Sequence, residues 1–366
     1  MLKRICSLLL AAALLLSLTG CGGRELYERL LVHGIGVDKD EDGLYRITVR
    51  STLSEDREEI YTCRGETVLD ALGTLSLTTG RRPFYAHNYL VVFGMGCAQS
   101  GLQECIDFFV RYYGTRPAVQ VYVAQGSAED ILCAQREGEY VKMSDFQQLG
   151  DSSKENGVSM LTEVLDFVNC ALRTGCDPVV PVVAASDSGI EIISTAWFAG
   201  YDFRGLMPLD ETRGLLAAKN ELRNGEAVIT GESFGRVTLT LVETLGRIEL
   251  ADTGGEHPEF TLRVETMADV STASKQGHLE KDVYGEMEQA LSHQLKEQIE
   301  NAIRRTALTD GCDIFGFGNV LYRSDPERWR TVEETWREEL PLCSFNIEVN
   351  TTIHRLEQEI FGPALG

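Results

Sequence analysis

The sequence predicts an α+β protein of mixed, largely antiparallel sheets with packed helices, divided into more than one domain. Three observations predict it. Strand-like runs come in groups with helical stretches between them, the order of an α+β fold and not of a doubly wound parallel one. The 366 residues exceed what one typical core absorbs and argue for at least two domains. A hydrophobic content of 43% with 8% aromatic residues marks a chain that packs cores, not a disordered one.

The elements follow in order. Leu31 to Val37 and Leu44 to Val49 read as strands, joined by the hairpin-type turn Asp38-Lys39-Asp40-Glu41-Asp42-Gly43. A helix is predicted over Thr67 to Leu77 and a buried strand over Tyr89 to Phe93. Leu102, Cys105, Ile106, Phe109, Val110 and Tyr113 recur at helical spacing. Val119 to Ala124 is a strand, and Ser127 with Asp130 forms a capping box that opens a helix through Gln135. Asp151 to Gly157 reads as a loose polar stretch, and Leu161 to Leu172 as a helix. Asp177-Pro178-Val179-Val180-Pro181 is extended, because each proline denies its predecessor a helical conformation.

A domain boundary is expected near Ser186 to Gly189. It divides the chain into 31–188 and 189–366, with a further division possible near 275. The second half opens with a strand over Ile190 to Phe198 and a turn at Gly200-Tyr201-Asp202. Short strands are predicted at 227–230, 236–242, 246–250 and 259–264. A long helix over Lys281 to Arg305 carries Val283, Met287, Ala290, Leu291, Leu295, Ile299, Ala302 and Ile303 on one stripe. A helical stretch around Trp329 and Trp336 precedes a last strand over Phe345 to Ile353.

The N-terminus reads as an export signal. Lys3 and Arg4 are followed by an apolar run from Ile5 to Leu16, then by Leu18-Thr19-Gly20-Cys21. The run is too short for a membrane span, which needs roughly 20 residues. Leu-Thr-Gly-Cys is the form cut by a lipoprotein signal peptidase. The expectation is removal of 1–20, a diacylglyceryl lipid on Cys21 and a tether over 21–30. Loss of Lys3 and Arg4 takes the formal charge from −22 to −24, which excludes general electrostatic binding to nucleic acid or anionic headgroups.

Ten cysteines in an exported chain raise the question of disulfides. Without Cys6 and Cys21, eight remain, and their spacings match no metal pattern. Most read as small core residues, among them Cys63, Cys105 and Cys343. Cys170 and Cys176 are the one nearby pair with the spacing of a bridge to be tested.

One catalytic pattern occurs. Gly231-Glu232-Ser233-Phe234-Gly235 matches the Gly-x-Ser-x-Gly elbow of serine hydrolases, with His257, His278, His293 and His354 downstream. That elbow needs a strand-to-helix turn, whereas Val237-Thr238-Leu239-Thr240-Leu241 alternates like a strand, so a hairpin is expected. Gly94-x-Gly96 and Gly316-x-Gly318 lack the further glycine of a phosphate loop. No catalytic, metal or cofactor residues are predicted. Trp197, Phe198, Phe315, Phe317, Trp329 and Trp336 are expected in the core.

The order of these landmarks resembles the Ger(x)C family, the lipoprotein C subunits of bacterial spore germinant receptors. The residues that carry the resemblance are Arg24-Glu25-Leu26 and Leu31-Val32-His33-Gly34-Ile35-Gly36-Val37-Asp38-Lys39, then His87-Asn88-Tyr89-Leu90-Val91-Val92-Phe93-Gly94 and Asp107-Phe108-Phe109-Val110-Arg111. Ser194-Thr195-Ala196-Trp197-Phe198 and Glu211-Thr212-Arg213-Gly214-Leu215-Leu216 follow. Cys312-Asp313-Ile314-Phe315-Gly316-Phe317-Gly318 and Pro326-Glu327-Arg328-Trp329 close the series. Gly22-Gly23 stands where the family has Trp-Asp after the cysteine, which makes a flexible tether.

The resemblance implies a non-enzymatic, lipid-anchored subunit on the outer face of the spore's inner membrane. Its implied partners are a permease-like B subunit and a multi-span A subunit. The alternative, a substrate-binding lipoprotein of an ABC importer, calls for two lobes of alternating strand and helix. The strand-rich run from Gly189 to Val264 fits that poorly.

Overall fold

Leu90-Val91-Val92-Phe93 is buried at every position, with Val91 and Phe93 in one apolar core and Leu90 and Val92 in another. A strand with no polar side needs cover on both faces, and this one lies inside a large sheet with helices above and below. The computed structural model describes residues 29–54, 57–112, 118–251, 254–274 and 281–354.

The chain opens with the antiparallel meander β1 (Arg29–Lys39), β2 (Tyr45–Ser54) and β3 (Arg57–Gly65). Helix α1 (Val68–Thr79), whose Asp70 N–H is capped by the Thr67 side chain, returns it to β4 (Arg82–Phe84) and β5 (Leu90–Phe93). Both strands run parallel to β1. Helices α2 (Met95–Gln99) and α3 (Gln103–Arg111) lead to β6 (Gln120–Ala124), parallel to β5. Helix α4 (Ala128–Leu132), the small hairpin of β7 (Gln135–Arg136) and β8 (Glu139–Tyr140), α5 (Met143–Glu155) and α6 (Val164–Ala171) come next. They lead to β9 (Val179–Ser186), parallel to β6. Finally β10 (Gly189–Ala199) and β11 (Asp202–Met207) pair antiparallel. The order across this nine-stranded sheet is β11-β10-β9-β6-β5-β1-β2-β3, with β4 beside β1.

Helix α7 (Leu209–Ala218) leads to a second sheet of β12 (Gly225–Gly231), β13 (Gly235–Ala251) and β14 (Glu259–Ala273). Helix α8 (Lys281–Ile303) continues into a π-helical turn, Arg304–Leu308. Helices α9 (Phe317–Ser324), α10 (Pro326–Val332) and α11 (Trp336–Glu339) precede β15 (Ser344–His354). Strand β15 adds to β14 in parallel, and the order is β12-β13-β14-β15. Met287, Leu291, Leu295, Ile299, Ala302 and Ile303 of α8 are buried in the core of this half. That is the predicted stripe.

The fold is α+β, and several of its details lie outside the sequence reading. The centre of the large sheet, β1, β5, β6 and β9, is parallel, and the antiparallel pairs lie toward its edges. The helical connections there are long enough to bring the chain back in the same direction. The expected boundary at Ser186 to Gly189 falls on the turn between β9 and β10, whose strands are hydrogen bonded throughout, so one sheet runs across it to Met207. Polar Asp151 to Glu155 belong to α5, which buries Met143, Phe146, Gly150 and Ser153 and leaves its polar side to solvent. Small residues on the buried side let that helix approach Tyr122, where a Cβ on Gly150 would meet the hydroxyl.

Two strands expected at 236–242 and 246–250 are a single β13. A register shift between Leu241 and Glu243 breaks the alternation without ending the strand. Helix α7 carries no clean amphipathic signal because seven of its ten residues are buried.

The contact of α7 with α8 rests on Gly214. A Cβ there would lie 2.6 Å from the Gln298 carbonyl carbon and the Ile299 nitrogen, both backbone. Gly214→Ala should cost about 2–3 kcal/mol in urea denaturation. Gly73→Ala, in a helix where nothing lies within 4 Å of the new Cβ, should be neutral or stabilise by up to about 1 kcal/mol.

Candidate functional site

The two halves meet at a pair of buried aspartates. Asp313 follows the π-helical turn in the segment Cys312-Asp313-Ile314-Phe315-Gly316-Phe317-Gly318, and its side chain folds back over its own loop. Oδ1 accepts the N–H groups of Gly316 and Phe317, both at 2.8 Å. Oδ2 accepts the Gly318 N–H at 2.7 Å and the indole N–H of Trp336 at 3.0 Å. Gly316, with φ 80°, supplies the left-handed residue that turns these N–H groups inward. Successive N–H groups in such a turn form an anion-binding concavity, and here the chain's own carboxylate fills it. That is the structural role of Gly316-x-Gly318.

Asp177 is the second member. It ends the loop after α6, which the Cys170–Cys176 disulfide closes. Its Oδ2 accepts the Asp313 N–H at 2.8 Å, and its own N–H donates to the Asp313 carbonyl at 2.8 Å. Oδ1 accepts the Gly200 N–H at 3.0 Å. The Arg337 guanidinium closes the node with bonds to both carboxylate oxygens, at 2.9 and 3.1 Å. Gly175 and Gly318 then touch backbone to backbone beside the Trp329 ring, where neither could carry a side chain. Burial pushes the Asp313 carboxyl up to about 6 against the pull of its N–H donors, and the neighbouring Asp177 adds to the rise.

Further ties surround the node. The Trp197 indole donates to Asp310 at 3.1 Å, and Arg305 grips Glu211 with two bonds at 2.6 and 2.7 Å. The Thr212 and Thr195 hydroxyls meet at 2.9 Å. Glu211-Thr212-Arg213-Gly214 is therefore a joint: Glu211 holds the π-helical turn, Thr212 holds β10, and Gly214 admits α8. Within the large sheet's half Asp38 accepts the N–H groups of Ala128 and Glu129 at 2.8 and 3.1 Å, which caps α4. Burial raises its carboxyl above the ordinary range.

A cleft of about 480 Å³ opens beside Asp177, between α6, β9 and α7. Met160, Phe167 and Leu215 form apolar wall, and Lys154, Asp166 and Arg223 bring charges of both signs.

Ser233 sits in the turn between β12 and β13, flanked by the paired Gly231 and Gly235, and not on a strand-to-helix elbow. Its hydroxyl donates to Glu286 on α8. His257, His293 and His354 contact Glu339, Glu297 and Asp269 respectively, and His278 lies outside the described residues. The hydrolase pattern is thus a hairpin turn. Cys21 also lies outside the described residues. Trp197, Phe198, Phe315, Phe317, Trp329 and Trp336 are all buried. Among the described residues no group of three or more His, Cys, Asp or Glu is placed to hold a metal.

Sequence reasoning missed Asp38, Asp177, Asp313 and Arg337. The local signals were slight: an aspartate three residues before a glycine of positive φ, and an aspartate before a proline.

These features define a two-part α+β protein whose parts are locked by buried carboxylates. The chain belongs to the spore germination GerAC-like family, and its setting is spore germination. Residues 22–185 match the family description "Spore germination protein N-terminal domain" and residues 193–357 match "Spore germination B3/ GerAC like, C-terminal". Spore germination protein KC of Bacillus subtilis is 23% identical over 389 aligned positions, covering 95% of each chain. Spore germination protein A3 of the same organism is 31% identical over 137 positions, 34% of this chain and 36% of that one. The crystal structure of the GerBC protein superimposes with a TM-score of 0.57 at 13% identity, covering 88% of this chain and 97% of the other. That likeness establishes the shared fold.

Two measurements test the node. Asp177→Ala should destabilise the chain by about 3 kcal/mol in urea. Arg337 is half-exposed and regains water, so the cost falls on the Gly200 and Asp313 N–H groups. The Asp313 carboxyl should titrate near pH 6 by carbon-detected NMR. Folded Asp313 then keeps its proton above the unfolded value of about 3.9, so its contribution to stability falls by about 3 kcal/mol as pH rises from about 4 to 6. A midpoint below 4 would show that the four N–H donors outweigh burial.

Proposed function

We propose that this chain is the lipid-anchored, non-enzymatic C subunit of a nutrient germinant receptor, on the outer face of the spore's inner membrane. It works there with a permease-like B subunit and a multi-span A subunit. The observation that carries the reading is the tandem of two germination-family domains, 22–185 and 193–357, spanning nearly the whole chain. End-to-end alignment with spore germination protein KC supports it.

The anchor is the lipid on Cys21. Among the described residues no helix is long and apolar enough to cross a membrane. Strand β1 begins at Arg29, eight residues after Cys21. Eight extended residues reach at most about 28 Å, so the lipid would hold the large sheet close to the bilayer through one of its inner strands. Two acyl chains of a diacylglyceryl group suffice for stable attachment.

Affinity purification of the tagged chain from detergent-solubilised spore membranes should recover a permease-like subunit and a second multi-span subunit. Recovery of an ABC permease and its ATPase instead would overturn the assignment. Cys21→Ala should shift the chain from the membrane to the soluble fraction and slow nutrient-triggered germination, read as loss of optical density, by roughly tenfold or more. That size follows if membrane attachment supplies most of the effective concentration at the receptor.

A further inference from the structure

Cys97 on α2 and Cys105 on α3 flank the turn Ser100-Gly101-Leu102, and their Sγ atoms meet at 3.1 Å. About 1 Å of further approach gives a covalent S–S distance near 2.05 Å. Both side chains are sealed in the core, at 1% and 0% exposure. The thiol of Cys97 held against Cys105 pulls Cys105 below the ordinary thiol range, and the same contact with burial pushes Cys97 above it. Cys63 and Cys343 behave differently. Their thiols donate to the carbonyls of Ile47 and Glu339, and burial pushes them up to about 11 and about 12.

We propose that Cys97 and Cys105 are a disulfide in the mature protein. The second observation behind it is what the turn between them holds. Leu102 N–H donates to the Tyr201 carbonyl at 3.0 Å, while Asp177, in the loop closed by Cys170–Cys176, accepts the N–H of neighbouring Gly200. The β10–β11 turn is thus gripped from two directions by two short loops, each with a cysteine pair at its base. The sulfur chemistry of one loop is already a bridge, and the other has its sulfurs in contact.

The bond forms by exchange with a disulfide-bearing oxidant, a protein of the thiol–disulfide oxidoreductase class or oxidised glutathione. One cysteine thiolate attacks a sulfur of that disulfide, making a mixed disulfide and expelling one oxidant thiolate. The other cysteine thiolate attacks the mixed disulfide, closes Cys97–Cys105 and expels the second oxidant thiolate. Two electrons pass to the oxidant, whose sulfurs take up the two thiol protons. Since the pair is buried in the folded chain, exchange takes place before the α2–α3 turn docks. Only the cellular oxidant depends on the exported location proposed above.

The test therefore begins without a cell. The full-length chain is reduced, unfolded and refolded in detergent through a series of glutathione buffers of rising oxidised fraction, then trapped with N-ethylmaleimide and digested. Mass spectrometry should find a Cys97–Cys105 cross-linked peptide two hydrogens lighter than the thiols, beside Cys170–Cys176, with maleimide on Cys6, Cys21, Cys63, Cys133, Cys312 and Cys343. Maleimide on Cys97 and Cys105 in a chain whose Cys170–Cys176 bridge has closed overturns the proposal. So does their pairing with any third cysteine, or the absence of every bridge at the most oxidising poise.

A second measurement uses stability. In Cys170→Ala/Cys176→Ala protein, dithiothreitol should lower Tm by roughly 3 °C or more, and adding Cys97→Ala and Cys105→Ala should abolish that response. An unchanged Tm in the first variant overturns the proposal. The same mapping on chain recovered from spore membranes separates the two readings. A bridge closed in glutathione but open in spores overturns the disulfide in the mature protein and counts against the oxidising location, whereas a failure to close in glutathione overturns the pairing without touching the proposed location.

Discussion

Buried carboxylates that accept backbone N–H groups hold this protein in its shape. Asp313 gathers four donors and Asp177 gathers two backbone N–H groups and a guanidinium. A carboxylate in the interior is costly unless it is hydrogen bonded; the donors around Asp313 offset part of that cost, and burial still pushes its carboxyl up to about 6. The constraint propagates. Gly316 must be left-handed to aim its loop, Gly175 and Gly318 must lack side chains, and Trp336 must present its indole nitrogen inward. The aromatic cluster of Phe260, Phe317, Phe345 and Trp336 then packs around a polar centre fixed in advance.

The same physics accounts for the glycine-containing segments that resemble ligand loops. The Gly316-Phe317-Gly318 nest is occupied by Asp313, and the N-terminus of α4 is occupied by Asp38 from β1. In each case an internal anion takes the place that a phosphate takes in a nucleotide-binding loop. Gly94 packs against Asp38 so closely that a Cβ there would overlap the carboxylate. These glycines serve close packing around aspartates.

The family division and the physical division of the chain do not coincide. The family descriptions change between residues 185 and 193, yet β9 and β10 are paired from Val179–Trp197 to Ser186–Gly189 across that gap. The second half thus contributes β10 and β11 to the edge of the first sheet before it builds its own. Together with the Asp177–Asp313 node, this shared sheet ties the two halves to each other. The overlay on GerBC at 13% identity shows that the fold persists at low sequence similarity.

Local pattern alone determined the parts whose partners lie nearby. The amphipathic stripe of α8, the Ser127 cap, the hairpin turn at Asp38 to Gly43 and the Cys170–Cys176 pair are legible because each depends on residues a few positions apart. The hairpin reading of Ser233 came from the alternation of Val237 to Leu241. The expected export signal and its Cys21 are likewise read from a linear pattern, which lies outside the described residues. Tertiary structure decided the rest. Asp177 finds Asp313 across 136 positions and Arg337 across 160, and Cys97 lies against Cys105 only after two helices turn on Gly101. The parallel centre depends on crossovers that periodicity does not encode, and α7 is hidden because near-total burial erases its amphipathic period. Periodicity reports which face of an element is apolar, whereas hydrogen-bond acceptors are chosen by whatever N–H groups the folded chain brings within 3 Å.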